Sequence, residues 1–201
     1  KELGLAERAL SGLAETGVNL HWYAGVDPDP TFTHVNEGGE VLRAAGCTAI
    51  VAVGGGSSMD AAKVIACTRS SDESPENWVG LNKVPDDVLP VYAIPTTSGT
   101  GSEATMGAVI KDPIAKMKHI IVAESLLPQA VALDPDLLTG LPAAVTAATG
   151  IDALTHGIEA YICVWDRGTR KENARLAIQG VFHWLLQTIA EPENSEARLG
   201  M

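Results

Sequence analysis

The chain has 201 residues, 46% of them hydrophobic and 19% charged, which supplies a real core and excludes a disordered tail. Its 25 acidic and 14 basic side chains leave a formal charge of −11, without the basic stripe that a nucleic-acid binder needs. An anionic ligand would therefore be held by backbone dipoles rather than by a basic patch. No apolar run reaches the roughly 18–20 residues of a membrane helix, and the KELGLAERAL start has no signal-peptide core. Cys47, Cys67 and Cys163 match no metal or disulfide spacing, so they read as small buried residues in a reduced, cytoplasmic protein.

In chain order, Glu2 to Glu15 places leucines and alanines at helical spacing, with Gly17 a candidate cap beyond its end. Val18 to Tyr23 reads as a strand closed by the turn GVDPDP. Thr33 to Ala45 reads as a helix capped by Thr33 and stopped by Gly46. Thr48 to Val53, TAIVAV, is continuously apolar, as in a parallel-sheet strand buried on both faces. Gly54-Gly55-Gly56 and a helix from Ser57 to about Thr68 follow it.

Ser70 to Asp87 is polar and reads as a surface excursion, and Val88 to Ile94 as another strand. Met106 to Val122 reads as a hairpin around Asp112-Pro113, and Ala130 to Leu133 as a short strand. From Leu141 onward helix formers dominate. The pattern predicts an α/β fold: a doubly wound, Rossmann-like domain over residues 1–140, then the start of an all-α domain over 141–201.

Three segments carry candidate chemistry. Gly54 to Ser58 joins a buried strand to a helix, where glycines let the backbone approach an anion and the helix dipole favours phosphate. Asp60 suits the first helical turn, and Lys63 follows three residues on. The segment matches neither GxGxxG nor the P-loop, so an ordinary tight turn stays open. The loop Pro95 to Glu103 clusters hydroxyls at a strand's C-terminal end, where open α/β sheets bind ligands, or else caps a helix with Glu103. Asp152 and His156 stand at i and i+4 on one helix face, either as metal donors or as a simple helix pair.

The stretches AAGCTAIVAVGGGSSMDAAKVIA, PTTSGTGSEAT and DPDLLTGLPAAVTAATGIDALTHGIEAYI, in this order, resemble the iron-containing (group III) alcohol dehydrogenases over Lys1 to at least Ile162. The resemblance implies an oxidoreductase moving a hydride between NAD or NADP and a primary alcohol or aldehyde. A divalent metal, Fe²⁺ or Zn²⁺, would polarise the oxygen. It implies cofactor contacts at Gly55, Gly56, Ser57 and Asp60 and at Thr96, Thr97 and Thr100, with Lys118 on the ribose. Asp29 and Leu127 would lie near the adenosine, and Asp152 and His156 would be metal ligands. A homo-oligomer is implied as well.

Relatives carry an opening strand before the region of Lys1 and two further metal-ligand histidines beyond Met201. The resemblance therefore predicts an internal portion of a longer enzyme, inactive or nearly so by itself. Val164 to Arg170 departs from the family pattern. Glycerol dehydrogenase, maleylacetate reductase or dehydroquinate synthase-like enzymes, or an inactive nucleotide-binding fragment, are the alternative readings.

Overall fold

Alternating apolar strands and helices close into a parallel sheet only through crossover connections. The computed structural model, which describes residues 4–165 and 168–201, has this arrangement. The chain divides into two compact units: Lys1–Pro95 with Ser102–Ala132, and Thr96–Gly101 with Leu133–Met201. One short loop from the middle of the chain, 96–101, groups with the helical residues.

In the first unit, β1 (Ile50–Gly54), β3 (Val91–Pro95) and β6 (Ala130–Val131) form a parallel sheet in the order β1-β3-β6. A second sheet pairs β2 (Gly80–Leu81) with β5 (Met117–Val122), and β5 antiparallel with β4 (Gly107–Asp112). The predicted hairpin is therefore present, with Asp112 Oδ1 accepting from the Ile114 and Ala115 N–H groups in its turn. Helix α4 (Gly56–Cys67) packs on β1, β3 and β4. Its buried face, with Met59, Val64 and Cys67, forms the core together with Val35, Trp78, Leu89, Ile110, Ile121 and Leu126. Helix α3 (Phe32–Ala45) crosses α4 closely: a Cβ on Gly38 would stand 2.4 Å from Ile65 Cδ1.

Several local expectations are corrected. The opening helix is two short ones, α1 (Leu5–Ala9) and α2 (Ser11–Ala14), while Glu2 and Leu3 lie outside the described residues. Val18 to Tyr23 is not a strand; among the described residues none pairs with it, and an unpaired ladder has nothing to hold it. Helix α3 begins one residue earlier than expected, at Phe32. Thr31 and His34 cap it reciprocally, each side chain accepting from the other's N–H. The polar stretch 70–87 is not merely surface, because Trp78 within it is fully buried and donates to Glu73 Oε2 at 3.3 Å. Strand β1, expected to be buried on both faces, is fully buried only at Ala52, with Ile50, Val51 and Val53 half-buried. Of the three cysteines only Cys67 is buried; Cys163 is exposed at the end of a helix.

The second unit is helical, as its composition predicts. Helices α5 (Ala143–Ile162) and α6 (Thr169–Ala190) run antiparallel, since Gly150 faces Leu185 while Gly157 faces Ile178. A Cβ on Gly150 would stand 2.3 Å from Leu185 Cδ1, so the glycine lets the two helices approach. Their connection includes Asp166 and Arg167, which lie outside the described residues, so the unusual segment 164–170 is described only in part. Helix α7 (Ser195–Gly200) returns to both. Its buried Arg198 donates from Nη1 to Thr146 Oγ1 on α5 at 3.0 Å, and Thr188 Oγ1 on α6 donates to the Ala197 carbonyl. Among the described residues no helix is long and apolar enough to cross a membrane.

Candidate functional site

The glycine turn lies where β1 meets α4. Gly54 ends the strand with φ +154°, and a Cβ there would stand 2.4 Å from Ser58 Oγ. A side chain at this position is thus excluded by the backbone and by its neighbour. Gly55 is the N-cap of α4 and carries no side chain, so the start of this 12-residue helix has no side-chain cap. Ser58 and Met59 N–H groups close on the Gly55 carbonyl. Uncapped N–H groups and the helix dipole favour an anion at this end. Gly54 pairs in register with Pro95 of β3, so the two strands end at the same sheet edge. That edge, at the carboxyl ends of parallel strands, is the ligand-binding edge of open α/β sheets.

Around this turn the structure gathers three of the residues singled out in the sequence. The Asp29 N–H donates to Ser57 Oγ at 3.2 Å, and Asp29 Oδ1 receives Lys118 Nζ at 2.7 Å. Asp29 holds an unusual φ of +59°, which aspartate tolerates better than most side chains. The Lys118 ammonium, followed by that of Lys111, holds the Asp29 carboxyl below the usual carboxylate range. Lys111, 3.5 Å from Asp29 Oδ2, was not singled out. The hairpin register supplies the missing signal: Lys111 faces Lys118 across the strands, and two facing ammonium groups call for an acid. Leu127 is exposed at the end of the 3₁₀ turn 124–126.

Asp60 and Lys63 prove to be internal fastenings. Asp60 sits in the second turn of α4, not the first. Its Oδ1 accepts from Ser102 Oγ at 2.6 Å, and its Oδ2 from the Val109 N–H at 2.9 Å. Lys63 is fully buried. Its ammonium donates to the carbonyls of Ser102, Thr105 and Gly107 at 2.6, 2.9 and 2.8 Å. Burial raises the Asp60 pKa and brings that of Lys63 down to about 8, although the nearby Asp60 and Glu103 favour the charged lysine. Together the pair binds α4 to segment 102–109, which continues from the threonine loop. Segment 102–104 is a short 3₁₀ turn rather than the start of an α-helix, so Glu103 completes no helix cap.

Thr96, Thr97 and Thr100 lie in loop 96–101, within the second unit. Thr97 Oγ1 is buried there with no hydrogen-bond partner, an unmet polar group of the kind that a bound hydroxyl or phosphate oxygen would satisfy. In the same unit α5 presents Asp152 and His156 on one face, Oδ1 to Nε2 3.7 Å. Both side chains are about half exposed. In kind they suit a first-row divalent ion, offering one carboxylate oxygen and one imidazole nitrogen. In number they stop at two: among the described residues no group of three or more His, Cys, Asp or Glu side chains could hold an ion.

Residues 1–135 match the family described as iron-containing alcohol dehydrogenase. The NAD-dependent methanol dehydrogenase of Bacillus methanolicus is 38% identical over 201 residues, covering 98% of this chain and 52% of that protein. A crystal structure of 1,3-propanediol oxidoreductase aligns with a TM-score of 0.93 at 36% identity, over 98% of this chain and 52% of that one. Sulfoacetaldehyde reductase from Bifidobacterium kashiwanohense, solved in complex with NAD⁺, aligns with a TM-score of 0.92 at 34% identity, over 99% and 53%. The chain spans about half the length of these relatives.

Proposed function

From the premise that this chain belongs to the iron-containing alcohol dehydrogenase family, we propose that it serves an oxidoreductase acting on a primary alcohol or aldehyde with a nicotinamide dinucleotide. The observation that carries this reading is the uncapped start of α4 behind Gly54, a cradle for a pyrophosphate built from backbone alone. The relatives' names, an NAD-dependent methanol dehydrogenase and a structure with NAD⁺, support NAD as the dinucleotide. When bound, the dinucleotide would supply hydride chemistry at its nicotinamide, and a divalent ion held by Asp152 and His156 would supply Lewis-acid polarisation of the substrate oxygen.

The chain's own residues hold and orient. Gly55, Gly56 and Ser57 receive the phosphates; Thr96, Thr97 and Thr100 offer hydroxyls, with Thr97 Oγ1 gaining the partner it otherwise lacks. Lys118 reaches the ribose from beside Asp29, and Leu127 offers an apolar surface to the adenosine. Asp60 contributes by fixing Ser102 and Val109 rather than by touching the cofactor. Asp152 and His156 supply two donors to the ion. With two donors among the described residues, the 201-residue chain alone binds cofactor without efficient turnover, since a catalytic ion ordinarily has three protein ligands. We further infer a reduced cytoplasmic setting, a homo-oligomeric whole and no nucleic-acid partner, from the cysteine spacing, the family and the −11 charge.

The test is a fluorescence titration with NADH, alongside a turnover assay with NAD⁺ and short primary alcohols. Saturable NADH binding is expected, weakened at least about tenfold in Gly54→Val. Turnover is expected at the background of Asp152→Ala. A cooperatively melting sample that binds no NADH contradicts the cofactor reading, and turnover well above the Asp152→Ala background contradicts the two-donor account.

A further inference from the structure

Loop 96–101 does not hang free of the ion-donor helix. Gly99 has φ +131°, and a Cβ built on it would stand 1.8 Å from the Thr149 carbonyl oxygen and 2.6 Å from the Thr149 carbonyl carbon. The atoms in the way are helix backbone, so no rotamer change relieves the overlap. Only glycine lets the loop lie against α5 here. Thr149 precedes Asp152 by three residues and His156 by seven, so it belongs to the same side of the helix, one and two turns upstream. Gly101 is the internal contrast. It sits two residues on, with φ +65°, and a Cβ there would meet nothing within 4 Å. The loop therefore has one glycine required by contact and one required by conformation.

The geometry points to Gly99 as a positioning residue that seats the threonine loop on the turn of α5 preceding the ion donors, coupling cofactor and metal binding. This rests on the proposed function, since it takes Thr96, Thr97 and Thr100 as cofactor contacts and Asp152 and His156 as metal donors. An ion held by Asp152 and His156 stiffens the turns from Thr149 to His156. The loop seated on that segment is then partly ordered before the cofactor arrives, which lowers the ordering cost of cofactor binding. Linkage makes the effect reciprocal.

The full chain is titrated with NADH across increasing Zn²⁺ and with Zn²⁺ across increasing NADH, and amide exchange of residues 96–101 is followed with and without Zn²⁺. In the unmodified chain, saturating Zn²⁺ should tighten NADH binding at least about fivefold, NADH should tighten Zn²⁺ by the same factor, and Zn²⁺ should slow exchange in the loop. Gly99→Ala should abolish the linkage and the Zn²⁺ effect on exchange. Gly101→Asn, a residue that tolerates a positive φ and whose Cβ meets nothing within 4 Å, should retain both.

Linkage that survives in Gly99→Ala overturns the proposal, as does NADH and Zn²⁺ binding to the unmodified chain without linkage. If Gly99→Ala does not fold, the unmodified chain still decides, because absent linkage or unchanged loop exchange refutes the coupling. Failure of the unmodified, folded chain to bind NADH at all overturns the proposed function and this inference with it.

Discussion

The glycine turn and the Asp152–His156 pair differ in how much of a site one folded unit can supply. At the turn, Gly54, the bare N-cap Gly55 and the cluster of Asp29, Ser57 and Lys118 stand on elements of one unit, fastened beneath by Asp60 and Lys63. On α5, two half-exposed donors share a helix face without a third. A phosphate cradle is made of backbone dipoles, so a single strand–turn–helix can complete it. A metal centre needs side chains from several directions, and one helix face contributes only its i, i+4 pair.

The contrast is broken most forcefully at Lys63. Lys63→Met takes a buried ammonium away from three carbonyls, of which those of Ser102 and Gly107 keep only long bonds from Thr105, and this should cost about 3 kcal/mol in denaturant unfolding, given ~1–3 kcal/mol for a buried polar group that loses its partner. NADH affinity should fall with it, because α4 loses its hold on segment 102–109. A loss below about 1 kcal/mol would mean that water or a shifted backbone serves those carbonyls.

Gly150→Val attacks the other region without touching a donor. Its side chain must displace Leu185, at a cost of about 1–3 kcal/mol. Weakened Zn²⁺ binding with NADH affinity intact is expected from paired calorimetric titrations on folded protein; the reverse pattern would refute the division of labour.

The pH dependence of stability carries a smaller, signed expectation. Burial lowers the Lys63 pKa to about 8 from the ordinary 10.5, so between those values the unfolded chain holds a proton that the folded chain has released. Stability linked to Lys63 therefore rises with pH across that window. Relative to Lys63→Met, the unmodified protein should gain stability from pH 8 upward. A relative loss would show that the carbonyl hydrogen bonds, which favour the ammonium, outweigh burial.

Smallest is Lys118→Met. The Asp29–Lys118 pair is largely solvent-exposed, and exposed pairs add little to stability, so the melting temperature should not move measurably. NADH binding should weaken severalfold, which sharpens the assignment of Lys118 to the cofactor. An unchanged affinity would remove Lys118 from that role.

Much of this was readable because its signals are local. TAIVAV followed by three glycines, the strand before the threonine loop, the hairpin at Asp112-Pro113 and the Asp152/His156 spacing each show in a short window. The misreadings have long-range causes. Val18 to Tyr23 has strand composition but no partner, and its Tyr23 hydroxyl instead donates to the His34 carbonyl. Trp78 sits in a polar window, yet the core takes its ring. Lys63 reads as a cation near a phosphate turn; its acceptors are backbone carbonyls 39 to 44 residues away, which leave no side-chain pattern in the sequence. Gly99 needs Thr149, fifty residues on, to show why it cannot be replaced.

The most direct test of the contrast is calorimetry of this chain with NADH and with Zn²⁺, each repeated on Asp152→Ala. The account predicts saturable one-to-one NADH binding that Asp152→Ala leaves within about twofold in the absence of metal, together with weak Zn²⁺ binding that Asp152→Ala abolishes. Tight stoichiometric Zn²⁺ binding that survives Asp152→Ala, or a folded chain that takes up Zn²⁺ but no NADH, would contradict it.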